Sequence, residues 1–191
     1  MANKKSIGPI PYIYPVPITL VGTVVDGREN FVTIGDCGLM GIQPPLVYIS
    51  SHRDHFSNRG ILEHQCYSIN FPTTAMLAET DYCGLVSGAK HDKSALFDIS
   101  YGQLEGAPLI QACPVSLVCR VVKEFCIQHR QIFVAEVVET FVDEQFLTWD
   151  GDSPRVDELT RLDPILYALD NRYYRIGPPI GVGYQEGRQL L

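Results

Sequence analysis

Between Ser50 and Gly60 the chain reads Ser-Ser-His-Arg-Asp-His-Phe-Ser-Asn-Arg-Gly, a run of cations and hydroxyls in an otherwise acidic sequence. Groups of these types suit an anion, a phosphate above all, because each adds a charge-assisted hydrogen bond. The run follows an apolar strand pattern, Leu46 to Ile49, and leads into a short helical one, Ser57 to Gln65, with Ser57 as the expected N-cap. A helix start offers unpaired N–H groups and partial positive charge, so backbone, Ser57 and Arg53 would hold the anion together. A solvated turn with a capping serine is the alternative that the segment leaves open. A second basic spot, Lys90-His91-Asp92-Lys93, interrupts the acidic background in the same way.

Other chemistries find little support. No G-x-S-x-G elbow, H-E-x-x-H helix or Walker loop occurs. His52 and His55 would give a metal two imidazoles in a loop with no clear third ligand, so no metal site is expected. The six cysteines form no C-x-x-C pair and mostly sit in strand-like surroundings, as buried free thiols in a reducing compartment would. A net charge of −7 argues against nucleic acid or an anionic membrane as the main partner. No apolar run reaches the roughly 18 residues of a membrane span. Prolines 9, 11, 15 and 17 interrupt the chain before a signal-peptide core could form, so the expected location is cytoplasmic.

Positioning these residues falls to β-structure. Strand patterns cover Ile18 to Val25, Phe31 to Ile34, Leu46 to Ser50, Tyr67 to Phe71, Val115 to Val122 and Gln131 to Val138, with Asp26-Gly27 as a hairpin turn. Helices are expected from Ser57 to Gln65, from Thr73 to Thr80 with Thr73 as cap, and from Asp163 with Pro164 in the first turn. Many strands and few helices predict a mainly β chain closed into a barrel, which removes exposed edges. One domain spans 1–191, with extended segments at 1–12 and 171–191. Glycines and prolines mark Tyr173 to Gly183 as irregular, with its tyrosines packing on the core or on a partner in preference to covering a flat ligand.

In order and composition these features resemble the flavin reductase-like family, the FMN-binding split barrels that include the flavoredoxins. The resemblance runs through Tyr14 to Thr23, Asp26 to Ile34 and Pro44-Pro45-Leu46-Val47, then Ser51-x-Arg53 through Ser57. It continues with Asp81-Tyr82-Cys83-Gly84-Leu85-Val86-Ser87-Gly88, Asp92-Lys93, and the aromatic tail of Tyr167, Tyr173, Tyr174 and Gly177. It implies a split β-barrel binding FMN, with the phosphate on Ser51, Arg53, His55, Ser57 and the helix amides, and Lys93 as a second cation. The flavin ring would lie along Asn30 to Gly35, touching Asn30, Thr33, Ile34 and Gly35. Ser50, Asn58 and Ser87 complete the candidate set. Gly35 would let the ring edge approach closely.

The implied activity is an oxidoreductase that passes electrons or hydride from a reduced donor, NAD(P)H or a redox protein, through flavin to an acceptor. A non-catalytic flavin store or sensor is the alternative. A homodimer is implied, and no side-chain acid or base is required. Without a G-x-G-x-x-G fingerprint, a nicotinamide would have to bind transiently on the flavin itself. Asp36 and Cys37 depart from the family pattern. A carboxylate at Asp36 would disfavour the anionic reduced flavin, and Cys37 is expected to be an inert thiol rather than a redox partner.

Overall fold

In the computed structural model, which describes residues 3–156 and 158–191, the alternating runs become strands. After β1 (Val16–Pro17) come β2 (Thr19–Val25) and β3 (Arg28–Ile34), joined where Asp26 and Gly27 take φ values of 52° and 75°. Two consecutive positive φ angles match the twist of the paired strands. β4 (Cys37–Gly41) and β5 (Leu46–His52) follow, and α1 (Ser57–His64) leads into β6 (Cys66–Phe71). Next are α2 (Leu77–Leu85), β7 (Ile99–Ser100), β8 (Leu109–Ile110), β9 (Val115–Ile127) and β10 (Arg130–Val142). The last elements are β11 (Leu147–Asp150), β12 (Ser153–Val156), α3 (Leu159–Leu162), β13 (Ile165–Ala168) and β14 (Arg172–Arg175).

Seven strands form one antiparallel sheet in the order β3-β2-β6-β9-β10-β5-β4. Val32 and Ile34 of β3 share a single core cluster with Ile49 of β5, Tyr67 of β6, Phe133 of β10 and Ile61 of α1. Residues from both ends of the sheet meet there, so the sheet curls on itself and its inner face is dry. Phe133 is fully buried, and truncating such a ring to alanine typically costs about 3–5 kcal/mol. A separate small sheet, β1-β13-β14, ties the two ends of the chain together.

Gly60 seats α1. A Cβ there would lie 2.1 Å from the Val24 carbonyl oxygen and 2.6 Å from Thr23 Oγ1, so only glycine lets the helix rest on β2. This brings the start of α1 beside Asn30 of β3.

Several local expectations are corrected. Phe56, not Ser57, holds the cap position of α1, and no side chain caps that helix; the Ser57 hydroxyl is engaged by Asn30 instead. The expected helix from Thr73 starts as a 3-10 turn, Thr74–Met76, and continues as α2 to Leu85, with no cap bond from Thr73. The helix expected after Asp163 is strand β13, because Ile165 is buried and the run has a sheet neighbour on each side. Asp163 ends α3 in a left-handed conformation, φ 46°. Tyr173 and Tyr174 lie in β14 rather than in an irregular tail, so the extended C-terminal segment starts after Arg175 and ends before a 3-10 turn at Glu186–Leu190. All six cysteines are free, four of them buried, whereas Cys126 is exposed.

Candidate functional site

β3, the start of α1, the end of α2 and the loop after it converge on a cleft of about 220 Å³, lined by His55, Phe56, Ser57, Ser87, Gly88 and Lys93 among others. Ser57 is buried, and its Oγ accepts a 2.6 Å hydrogen bond from Asn30 Nδ2. With Asn30 donating to it, the hydroxyl keeps its own proton for an acceptor in the cleft. A Cβ on Gly88 would lie 1.8 Å from Asn30 Oδ1, so a glycine there is required for Asn30 to sit where it does. The amides of Phe56 and Ser57 carry no hydrogen bond to the described residues.

Lys93 is 2% exposed, and its Nζ donates to the carbonyl oxygens of Cys83 at 3.1 Å and Val86 at 3.3 Å. These carbonyls mark the C-terminal end of α2, where the helix dipole is negative. Two of the three ammonium protons are thereby used, and burial pushes the Lys93 pKa down. His55 Nδ1 lies 3.0 Å from Ser51 Oγ, which leaves Nε2 uncommitted. Burial, then the charges of His52, Arg130 and Lys93, push His55 below its ordinary value, so its imidazole is neutral at pH 7. Asp54 also lines the cleft, but its side chain is 80% exposed and sits 3.6 Å from His52 Nδ1. An ammonium, a hydroxyl proton and two free amides make a donor set that fits a phosphate.

A wider cleft of about 420 Å³ adjoins the first and shares Gly84 and Leu85 with it. Its walls include Tyr14, Thr33, Gly35, Asp36, Tyr167 and Tyr173. The rings of Tyr173 and Tyr167 lie 5.5 Å apart, and those of Tyr167 and Tyr14 are 6.4 Å apart, edge to face. Tyr173 Oη donates to Asp81 Oδ1 at 2.6 Å, and Tyr167 Oη to Asn171 Oδ1 at 2.6 Å, which fixes both rings. Burial, with Asp81 beside it, pushes the Tyr173 phenol well up, so it stays a donor. Such a wall of fixed aromatic faces and edges suits a flat, partly polar ring. At its border Asp36 forms an ion pair with Arg130.

Six expected ligands thus line the two clefts: His55, Ser57, Ser87 and Lys93 in the first, Thr33 and Gly35 in the second. Asn30 acts through Ser57. Thr33 Oγ1 is bonded to the Thr80 carbonyl, and the missing Cβ of Gly35 makes room for Val16 and Ile18 rather than for a ligand edge. The Ile34 side chain belongs to the barrel core. Ser50 and Ser51 are neighbours on a strand and point to opposite faces. Ser51 is buried and orients His55, whereas Ser50 Oγ accepts from Arg130 Nε at 3.0 Å, outside the cleft. Asn58 Nδ2 donates to the carbonyls of His52 at 2.8 Å and Arg53 at 3.2 Å, shaping the loop from within. Arg53 lines neither cleft; its amide binds the His129 carbonyl, and its guanidinium is uncommitted among the described residues.

Cys37 is half-buried, 4.0 Å from Thr19 Oγ1, and burial pushes its thiol pKa up, away from the reactive thiolate. Arg130 escaped sequence reasoning, whereas Tyr14, Asp81 and Tyr167 were named within the family motifs but given no place in the site. A clue to the tyrosines was the alternation in Ile165 to Ala168, hidden by Pro164. Among the described residues no three His, Cys, Asp or Glu side chains are placed to hold a metal, and no helix is long and apolar enough to cross a membrane.

The model of the flavin reductase like domain matches residues 12–172. The chain is 36% identical to a flavoredoxin from Methanosarcina acetivorans, with a TM-score of 0.92 covering 100% of both chains. Flavoredoxin of Desulfovibrio vulgaris (Miyazaki F) is 29% identical, with a TM-score of 0.86 over 97% of this chain and 100% of that one. At the level of fold alone, an NADH:FAD oxidoreductase from Streptomyces globisporus C-1027 matches 86% of this chain and 88% of its own, at 17% identity and a TM-score of 0.69. The curled sheet is the split barrel of these proteins, as the sequence implied.

Proposed function

The chain belongs to the flavin reductase-like family, and from that premise we propose that it is an FMN-binding oxidoreductase, taking electrons or hydride from a reduced donor and delivering them to an acceptor. One observation carries the reading. A buried serine, held by Asn30 so that its proton is spare, opens a helix beside a buried ammonium, and the cleft they form continues into a tyrosine-lined one. Bound flavin would supply the redox chemistry itself.

The chain's own residues bind and orient. Ser57, the amides of Phe56 and Ser57, His55 and Lys93 would hold the phosphate, with the Arg53 guanidinium added from the loop. Each charge-assisted bond contributes about 1.5–3 kcal/mol before ordering costs, so three or four reach micromolar to nanomolar affinity once ring packing is added. Thr33, Gly35, Tyr167 and Tyr173 would flank the ring. A single cationic seat supports the mononucleotide over the FAD named for the Streptomyces protein. With no dinucleotide fingerprint in the chain, a nicotinamide donor would stack transiently against the flavin, or a redox protein would take its place.

We also propose a cytoplasmic homodimer. Free thiols suit a reducing compartment. The exposed apolar side chains Leu39 and Met40 on β4, Ile42 just after it, and Phe125 and Ile127 on β9 suit a second copy. Light scattering of the flavin-loaded protein should give twice the mass of one chain.

The phosphate assignment is tested by Ser57→Ala and Arg53→Ala. Ser57→Ala should weaken FMN binding about 10–100-fold, as loss of one charge-assisted bond predicts, while riboflavin, which lacks the phosphate, binds as before. If neither variant changes FMN affinity, the phosphate lies elsewhere. Oxidation of NADH or NADPH with FMN as acceptor separates an enzyme from a flavin store, which would bind without turnover.

A further inference from the structure

Asp36 follows Gly35 in the turn between β3 and β4 and lines the wider cleft, its side chain 62% exposed. Its partner comes from the far side of the sequence. Arg130, the first residue of β10, sends its Nε to Ser50 Oγ at 3.0 Å and a terminal nitrogen to both the Ser50 carbonyl and the Asp36 carboxylate. The Asp36 carbonyl in turn accepts the Ser50 amide at 2.7 Å. The guanidinium therefore engages several fixed acceptors, a geometry that its rigid fork meets and a lysine would not. Its side chain is 29% exposed, so it is less screened than a free surface arginine.

Asp81 is the other carboxylate on the wall, and its Oδ1 is taken by the Tyr173 hydroxyl. No lysine or arginine lines the wider cleft among the described residues. Arg130 is thus the cation that balances a carboxylate on that wall. A ring taking up electrons there gains negative charge, which an unbalanced carboxylate opposes and a cation favours.

We infer that the Arg130–Asp36 ion pair sets the reduction potential of the flavin, with Arg130 as a positioning residue that offsets the Asp36 charge at the ring end of the cleft. This rests on the ring lying beside Gly35 and Asp36, as proposed above. It also resolves the tension raised by a carboxylate at this position: the charge is present but paired.

The two halves of the pair can be removed separately, and their effects should have opposite signs. Arg130→Met leaves the carboxylate alone, so the midpoint potential of bound FMN should move negative. Asp36→Asn leaves the guanidinium alone, so the midpoint should move positive. The double variant should return close to the wild-type value. Arg130→Lys keeps the charge while losing the fork, and should restore most of the potential even if it melts earlier than wild type. Midpoints are read by anaerobic reductive titration against a reference dye, with thermal denaturation of the flavin-free proteins alongside. Shifts of the same sign in both single variants would reduce the pair to a structural tie, and unchanged midpoints in FMN-loaded variants would overturn the inference while leaving the binding site intact. Failure of the wild type to bind FMN would instead remove the reading beneath it.

Discussion

The two ends of the cleft are built by opposite strategies. At the end proposed for the phosphate the donors come from short stretches, 55–57 and 87–93, and each is held by a close partner: Asn30 on Ser57, Ser51 on His55, two carbonyls on Lys93. At the end proposed for the ring the wall is gathered from both ends of the chain, with Tyr14 from the segment before β1, Tyr167 from β13 and Tyr173 from β14. A charged seat depends on donors aimed to within fractions of an ångström, whereas an aromatic wall depends on area. Changes at the first end should therefore discriminate FMN from riboflavin, and changes at the second should affect the two alike.

The largest effect is expected from Gly88→Val. Its added atoms would collide with Asn30 Oδ1, which a Cβ alone would approach to 1.8 Å. Overpacking of this kind costs about 1–3 kcal/mol, and displacing Asn30 also frees Ser57. FMN affinity measured by fluorescence quenching should fall by about 100-fold or more if two phosphate bonds are lost, with a much smaller loss for riboflavin. Equal losses for both ligands would erase the contrast between the ends.

Tyr173→Phe tests the other end. Removing the hydroxyl that donates to Asp81 forfeits about 0.5–1.5 kcal/mol, a two- to tenfold loss, and here FMN and riboflavin should weaken together. A loss confined to FMN would place the phosphate, not the ring, near β14.

A subtler effect concerns pH. Folding holds the His55 pKa below its ordinary value, chiefly through burial. As pH drops below about 6.5 the unfolded chain takes up the proton first, so the flavin-free protein loses stability from there down to the folded value and is level below it. His55→Gln should flatten this acid slope in urea midpoints measured between pH 7.5 and pH 5. An unaltered slope would assign it to other groups. Smallest of all, Cys37→Ser should leave flavin binding and turnover within about twofold, since the raised thiol pKa denies it thiolate chemistry.

How much was legible follows the same division. The Asp26-Gly27 hairpin and the main strands were readable because alternation and turn preference act between near neighbours. Ser57 was expected both to cap a helix and to meet an anion, and the fold replaces the first role: Phe56 holds the cap position, and Asn30 of β3 donates to the Ser57 hydroxyl. Ser50 shows the limit of reading a cluster as a list, since strand alternation sends it to Arg130 and Ser51 to His55. The misread helix after Asp163 concealed that Tyr167 and Tyr173 sit on paired strands facing one cleft, because Pro164 fits a helical first turn as readily as the residue ahead of a strand.

By itself the sequence determined the period of each strand, the places where the chain turns, and the gathering of cations and hydroxyls at 50–60 and 90–93 in an acidic chain. These depend on side-chain type and spacing alone. Only the tertiary structure decided which hydroxyls face the cleft, that Lys93 spends two of its protons on the end of α2, and that Arg130 answers Asp36. Those outcomes depend on strand order and helix seating, which join residues far apart in the chain through packing that no local pattern encodes.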